Sequence, residues 1–355
     1  MEPRNLLAGT TALVSASLLT SASAEAQEAD LGPFEVVLGG YTAFGISAAS
    51  RDTLADVPSR NYTFYMDNLV FINADGATES GISYGSKIEL EVGSGDGNTD
   101  DALVDVIGLY FSGNFGRFEL GKDAGAEDVM GIGGEDAQAG TGGIDGDTAN
   151  LTTFEITDTN DSTKASYFTP RLAGFQLGIS FVPDDGSPDD QDDVNDSAGD
   201  QENIVGLGGN WVGELGPVDL VVASTGILGN HEPGGDTDDD LRSWEVGGLI
   251  GFEDVTAGIK YGQETDLDKG QFFNAGIEYG FGAANVSIGY VLFDPRGDTP
   301  GKINNVFAIS GDISVLPGVT LMGDVTYATE DPEARLDEDD PDDTIAAVLT
   351  IAVDY

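Results

Sequence analysis

From about residue 34 to the C-terminus, apolar positions alternate with small or polar ones in segments of about ten residues. The last segment is the clearest. Ile345, Ala347, Leu349, Ile351, Val353 and Tyr355 fall on one face, with Ala346, Thr350, Ala352 and Asp354 on the other and Val348 as the exception. That is the two-residue period of a strand, not the 3.6-residue period of a helix. Val319, Leu321, Val325 and Tyr327 repeat it, as do Val286, Ile288, Tyr290 and Leu292. So do Phe175, Leu177, Ile179 and Phe181, and Phe273, Ala275, Ile277, Tyr279 and Phe281. Near the start, Tyr84, Ile88 and Leu90 face away from Lys87, Glu89 and Glu91.

The connections alternate short and long. Short ones are expected near Asp75-Gly76, Ser112-Gly113-Asn114, Leu172-Ala173-Gly174, Gly213 to Pro217, Glu253-Asp254, Gly282-Ala283 and Leu316-Pro317-Gly318. Between them lie longer acidic stretches at about 48–61, 93–102, 123–162, 183–200, 230–241, 265–270, 295–301 and 329–342. These connections predict about 16 strands, with both termini on one side. Strict segregation of short turns from long loops is the habit of transmembrane β-barrels, and a soluble sandwich has no reason for it. The aromatics Tyr84, Phe181, Tyr261, Tyr279, Tyr290, Tyr327 and Tyr355 sit on apolar faces, and Trp211 and Trp244 also lie in strands. Such rings suit the girdles where a barrel meets lipid headgroups.

Composition sharpens this picture. The 355 residues include 51 glycines and no cysteine, which excludes disulfide scaffolds, thiolate metal sites and cysteine nucleophiles. Lys and Arg number 14 against 64 Asp and Glu, a formal charge of -50. No nucleic acid partner is expected, because phosphate binding needs a basic surface. Residues 1–24 read as a signal peptide: Arg4, an apolar run from Leu6 to Thr20, and Ala22-Ser23-Ala24 before the cut. The mature domain is then 25–355, and its charge stays at -50 because the leader carries one acid and one base. Beyond it there is no apolar run of helical membrane-spanning length.

Candidate chemistry is sparse. The lone histidine, His231, falls in an expected loop, and no nucleophile elbow, phosphate loop or zinc spacing occurs, so the chain is not read as an enzyme. Basic residues are scarce enough for their placement to matter. Lys87, Arg117, Lys164 and Lys260 share the parity of the polar face. A Lys or Arg facing lipid at mid-depth costs roughly 2–4 kcal/mol, which directs all four to the lumen. There they can set up a field against acidic groups or pair with Glu89, Glu91 or Glu119 on the wall. The net charge predicts a preference for cations, since a pore of one sign gathers counterions. No cofactor is required. Ca2+ candidates are Asp96, Asn98 and Asp100, whose alternating oxygens resemble the start of a calcium loop, and Asp145 with Asp147.

The first strand, Phe34-Glu35-Val36-Val37-Leu38-Gly39-Gly40-Tyr41, and the strand-turn-strand from Leu109 to Gly121 resemble those of the alphaproteobacterial, Rhodobacter-type general diffusion porins. The resemblance spans the mature chain. It implies a sixteen-stranded, homotrimeric barrel whose long third loop, here about 123–162, folds into the lumen as a constriction. Glu127, Asp128, Glu135, Asp136, Asp145 and Asp147 would be its acidic edge. The resembled porins also bind calcium near the constriction. Leu349, Ile351, Val353 and Tyr355 are similar to the C-terminal signal read by barrel-assembly machinery, with tyrosine where phenylalanine is usual. The other implied partners are outer-membrane lipid and lipopolysaccharide, and the small hydrophilic solutes and ions that diffuse through.

The expectation is therefore an all-β protein, a transmembrane antiparallel β-barrel of the bacterial outer membrane that serves as a passive channel. Two alternatives stay open: a substrate-selective porin, and a soluble, acidic extracellular β-module.

Overall fold

The computed structural model describes residues 34–50, 61–91, 103–145, 159, 162–184, 201–231, 240–264, 270–295, 304–329 and 343–355. The expected signal peptide, together with Asp96, Asn98, Asp100 and Asp147, lies outside the described residues. The strands are β1 Phe34–Ser50, β2 Tyr62–Ala77, β3 Ser83–Glu91, β4 Leu103–Gly113, β5 Gly116–Lys122, β6 Thr163–Phe168, β7 Phe175–Asp184 and β8 Gln201–Leu215. The second half holds β9 Val218–His231, β10 Leu241–Phe252, β11 Val255–Glu264, β12 Gly270–Phe281, β13 Ala284–Pro295, β14 Asn304–Leu316, β15 Val319–Thr329 and β16 Asp343–Asp354. Each pairs antiparallel with its neighbours in sequence, and β16 pairs with β1 to close a barrel. At the seam the backbones of Gly40 and Tyr355 exchange hydrogen bonds of 2.9 and 3.0 Å. Closure leaves no open edge, so the ladder satisfies its own polar backbone even where no water reaches it.

The alternation decides which side chain faces where. Leu349, Ile351 and Val353 are exposed on the outside of β16, while Ala346, Thr350 and Ala352 are buried on the inside. Val348, the break in the pattern, is buried on the inner face, beside its cross-strand partners Ser47 and Asp324. The same inversion of a soluble protein's habit runs around the ring: large apolar residues such as Phe175, Leu177, Ile288 and Ile309 are outside, and Ser166, Ser287, Ser310 and Thr326 are inside. Among the described residues no helix is long and apolar enough to cross a membrane, so the crossing falls to strands. Trp211 packs on Phe175 beside the short turn at Leu172–Gly174, and Trp244 packs on Tyr261 near the opposite end of the wall.

Six of the seven short turns stand where the sequence puts them. At Leu172–Phe175 both central residues are left-handed, Ala173 at φ 50 and Gly174 at φ 88. That is the hairpin geometry matched to strand twist. The first turn is a correction. Asp75 and Gly76 remain in the ladder opposite Gly85 and Tyr84, and the turn comes later, at Thr78–Ile82. Two contacts hold them there: Tyr110 donates to Asp75 at 2.5 Å, and the Tyr84 ring lies over Gly76. Thr78 then closes the turn by accepting from the Ile82 amide at 3.0 Å. His231 is likewise not in a loop but ends β9, opposite Gln201.

Candidate functional site: the inner wall and its loop

After β5 the chain turns inward. Residues 123–145 run along the inner face of the barrel as a series of short turns, helical at Ala126–Val129 and 3-10 at Glu135–Ala137 and Gly143–Asp145. These pack on β6–β9 and on β11–β15. The loop's backbone donors are met one after another by wall side chains whose parity points inward. The Ala126 amide donates to Ser180 Oγ at 3.1 Å, Gly134 to Asn274 Oδ1 at 2.9 Å, and Ala139 to Ser287 Oγ at 2.8 Å. Gly140 then donates to Asp312 at 3.2 Å, and Thr141 donates to Asp324 through both its amide and its hydroxyl, at 2.9 and 2.7 Å. A loop with so little regular structure needs these oxygens, because buried N–H groups left unmatched are costly.

Apolar anchors fill the intervals. Ile132 and Ala137 pack with Val221, Ala223 and Leu249. Met130 packs with Phe168, and Ile144 with Val291, Val306, Ala308 and Ala328. The loop lies on glycine. A side chain at Gly247, Gly258 or Gly276 would collide with the carbonyl oxygen of Ile132, Gly133 or Gly134 respectively, and Gly206 and Gly208 leave the same room under Glu127 and Met130. Gly258→Val is therefore expected to lift the loop at Gly133, at a cost of about 1–3 kcal/mol for overpacking. Cleavage of the folded protein by a glutamate-specific protease at Glu127 or Glu135 would report it, and an unchanged cleavage rate would count against the seat.

The expected site residues divide into anchors and lining. Glu127 is 1% exposed and accepts from Thr159 Oγ1 at 2.6 Å and Ser180 Oγ at 2.8 Å. Glu135 bonds Asn274 Nδ2 at 2.6 Å and is paired with Lys260, which also lies 3.6 Å from Glu245. Lys260 and Lys164 are both buried, and Lys164 donates to the backbone oxygens of Asp123 and Thr159. Lys164 and Lys260 thus face inward as their parity says, but with Glu127 and Glu135 they fasten the loop to the wall beneath it. The reason is that a charge taken out of water needs a partner, and the loop and wall supply each other's.

Asp136 accepts from the Gly133 amide at 2.7 Å within the loop, Asp128 is half-buried, and Asp145 closes the last 3-10 turn. Lys87 and Arg117 stay on the wall, in a pocket lined also by Asp123, Ala124 and Lys164 where the loop leaves β5. Lys87 pairs with Glu89 at 2.8 Å, while Arg117 bonds Glu119 and stacks 4.2 Å over the Tyr110 ring. Among the described residues, no group of three or more His, Cys, Asp or Glu is arranged to hold a metal.

A sequence profile of the Gram-negative porin family matches residues 9–333. The chain belongs to that family. This porin's fold is shared by solved barrels. It covers 91% of its own chain and 100% of a protein described as the anion-selective porin from Comamonas acidovorans, at 17% identity and a TM-score of 0.68. It covers 90% of itself and 100% of a triple mutant of the Rhodopseudomonas blastica porin, at 18% identity and 0.62. No curated protein matches the sequence. Membership and the closed sixteen-strand barrel place the protein in the outer membrane and make it a channel, which sets aside the soluble module.

Some of the porin's inner-wall residues escape a reading of its sequence. Asn274, Ser287, Asp312 and Asp324, the receptors of the loop, carry only the signal of inward parity, which many positions share. The inward rings Tyr41, Tyr65, Phe71 and Tyr110 are a second omission, since the outward aromatics dominate the pattern.

Proposed function

We propose that this porin is a general diffusion channel for small hydrophilic solutes and ions, that it prefers cations, and that it works as a homotrimer. It is exported by the signal at 1–24 and folded by barrel-assembly machinery that reads Leu349, Ile351, Val353 and Tyr355. The carrying observation is the division of the inner wall. The loop's turns sit on β6–β9 and β11–β15, and on the far side of the ring the inner faces of β2–β5 carry Asp67, Asp75, Glu89, Glu91 and Glu119. The cations on that side, Lys87 and Arg117, are each held by a carboxylate, and Lys164 and Lys260 are spent under the loop. A lumen so furnished has a negative surplus, and a water-filled passage walled by low-dielectric protein concentrates counterions. The Comamonas porin is described as anion-selective, so the fold itself is neutral on the sign and the side chains must choose it.

The deciding measurement is the reversal potential of single channels in a planar bilayer under a salt gradient. A cation-positive preference that fades as salt approaches about 1 M, where the screening length falls to about 3 Å, is the expected result. An anion preference would reverse the reading of the wall carboxylates, and absence of any channel would remove the function itself.

A further inference from the structure

We infer that the inner face of β1, β2 and β4 is a track for organic cations, solutes that carry an ammonium group on an apolar body. This rests on the open-channel reading above and names a solute class for it.

From the loop end to the short-turn end, the inward positions of β2 are Tyr65, Asp67, Leu69, Phe71, Asn73 and Asp75. Aromatic and apolar surface thus alternates with carboxylates along the height of the wall. Strands on either side thicken the strip, β1 directly and β4 across Gly85 of β3. Tyr41 of β1 donates to Asp67 at 2.7 Å, and Tyr110 of β4 donates to Asp75 at 2.5 Å. Each hydroxyl is tied to an acid, which fixes its ring beside that charge. The rings lie against glycines, Tyr65 over Gly45, Tyr110 over Gly85 and Phe71 at Gly39, where any side chain would collide with them. Tyr41, Tyr65, Phe71 and Tyr110 are all half-buried, so the part not covered by the wall faces the channel.

These rings point inward and cannot serve the lipid girdle. An inorganic cation gains from the carboxylates but little from Leu69 or Phe71. An anion is repelled. An organic cation uses both, because the face of an aromatic ring attracts a positive group and its apolar body covers the ring's hydrophobic surface. The wall already makes this contact once, with the Arg117 guanidinium 4.2 Å from the Tyr110 centroid.

The test is choline against potassium in the same bilayer channels, read as the permeability ratio under bi-ionic conditions. Wild-type protein should pass choline better than its mobility relative to potassium in free solution predicts. Phe71→Leu, which keeps apolar bulk but removes the ring, should lower the ratio by about two- to fivefold, the size of an exposed cation–π contact. Asp67→Asn should lower it in the same direction, and Phe71→Tyr should retain it. A wild-type ratio equal to the free-solution mobility ratio would overturn the proposal. So would a ratio unmoved by both Phe71→Leu and Asp67→Asn, or a current slowed by a neutral sugar such as maltose and not by choline. Loss of potassium conductance in the wild-type protein is a different failure, that of the channel reading on which this one stands.

Discussion

Lys260→Ala should yield a barrel that still folds but whose loop no longer stays seated. Lys260 stands on the inner face of β11, opposite Gly247, with its ammonium between Glu135 of the loop and Glu245 of β10. Its side chain is 8% exposed, and those of Glu135 and Glu245 are 12% and 6%. Removing the cation leaves two carboxylates close together with little water. Breaking a buried pair from one side costs about 3–5 kcal/mol. The barrel ladder does not pass through this contact, so the cheapest relief is for Glu135 to leave the wall and carry residues 133–137 into the lumen. That shifts the balance of seated and released loop by at least about a hundredfold. The expected readings are a noisier, altered single-channel conductance and faster cleavage by a glutamate-specific protease, with the folded barrel still shifting on heating in gel electrophoresis. Trypsin would miss the event, because residues 123–162 contain no Lys or Arg. If conductance and cleavage both match the wild type, the Lys260 contact does not hold the loop.

The second large effect lies on the opposite side of the wall. Ile309 and Ser310 are adjacent on β14, near the middle of the strand, yet Ile309 is 64% exposed and Ser310 is 4% exposed. Since the exposed side is the lipid side, Ile309→Arg puts a guanidinium into hydrocarbon at mid-depth, for about 2–4 kcal/mol. The expected outcome is a fall of that size in the free energy of unfolding from lipid vesicles, followed by urea titration. Ile309→Leu serves as the control and should change little. A neutral result for Ile309→Arg would mean that this face does not meet lipid.

Both effects rest on a division between what is local in the sequence and what is not. The strand period, the outward face of each strand and the strand number are legible because lipid acts on every residue separately. An apolar side chain every second position is favoured wherever hydrocarbon lies on one side, whatever the rest of the chain does. Ile345 to Tyr355 shows this, and even Val348, the break in its pattern, costs nothing because the inner wall can bury it. Parity alone also sends Lys87, Arg117, Lys164 and Lys260 inward.

What parity does not contain is which inward residues meet one another. Only the course of the loop over the inner wall brings Lys260 of β11 under Glu135, and Asp324 of β15 under Thr141. Pairing of β10, β11 and β12 sets Gly247, Gly258 and Gly276 close together, and only the path of the loop makes them a floor for Ile132 to Gly134. Lys164 and Lys260 could equally have lined the pore, and Glu127 could have edged it. Their burial followed from the path the loop takes, and that path is chosen by the sum of many weak contacts distributed over the strands from β6 to β15. The sequence by itself determined the barrel and the faces of its wall, because solvent and lipid read each position alone. The tertiary structure decided which charges stay on the open wall and which fasten the loop, because pairing a buried charge depends on its neighbours in space.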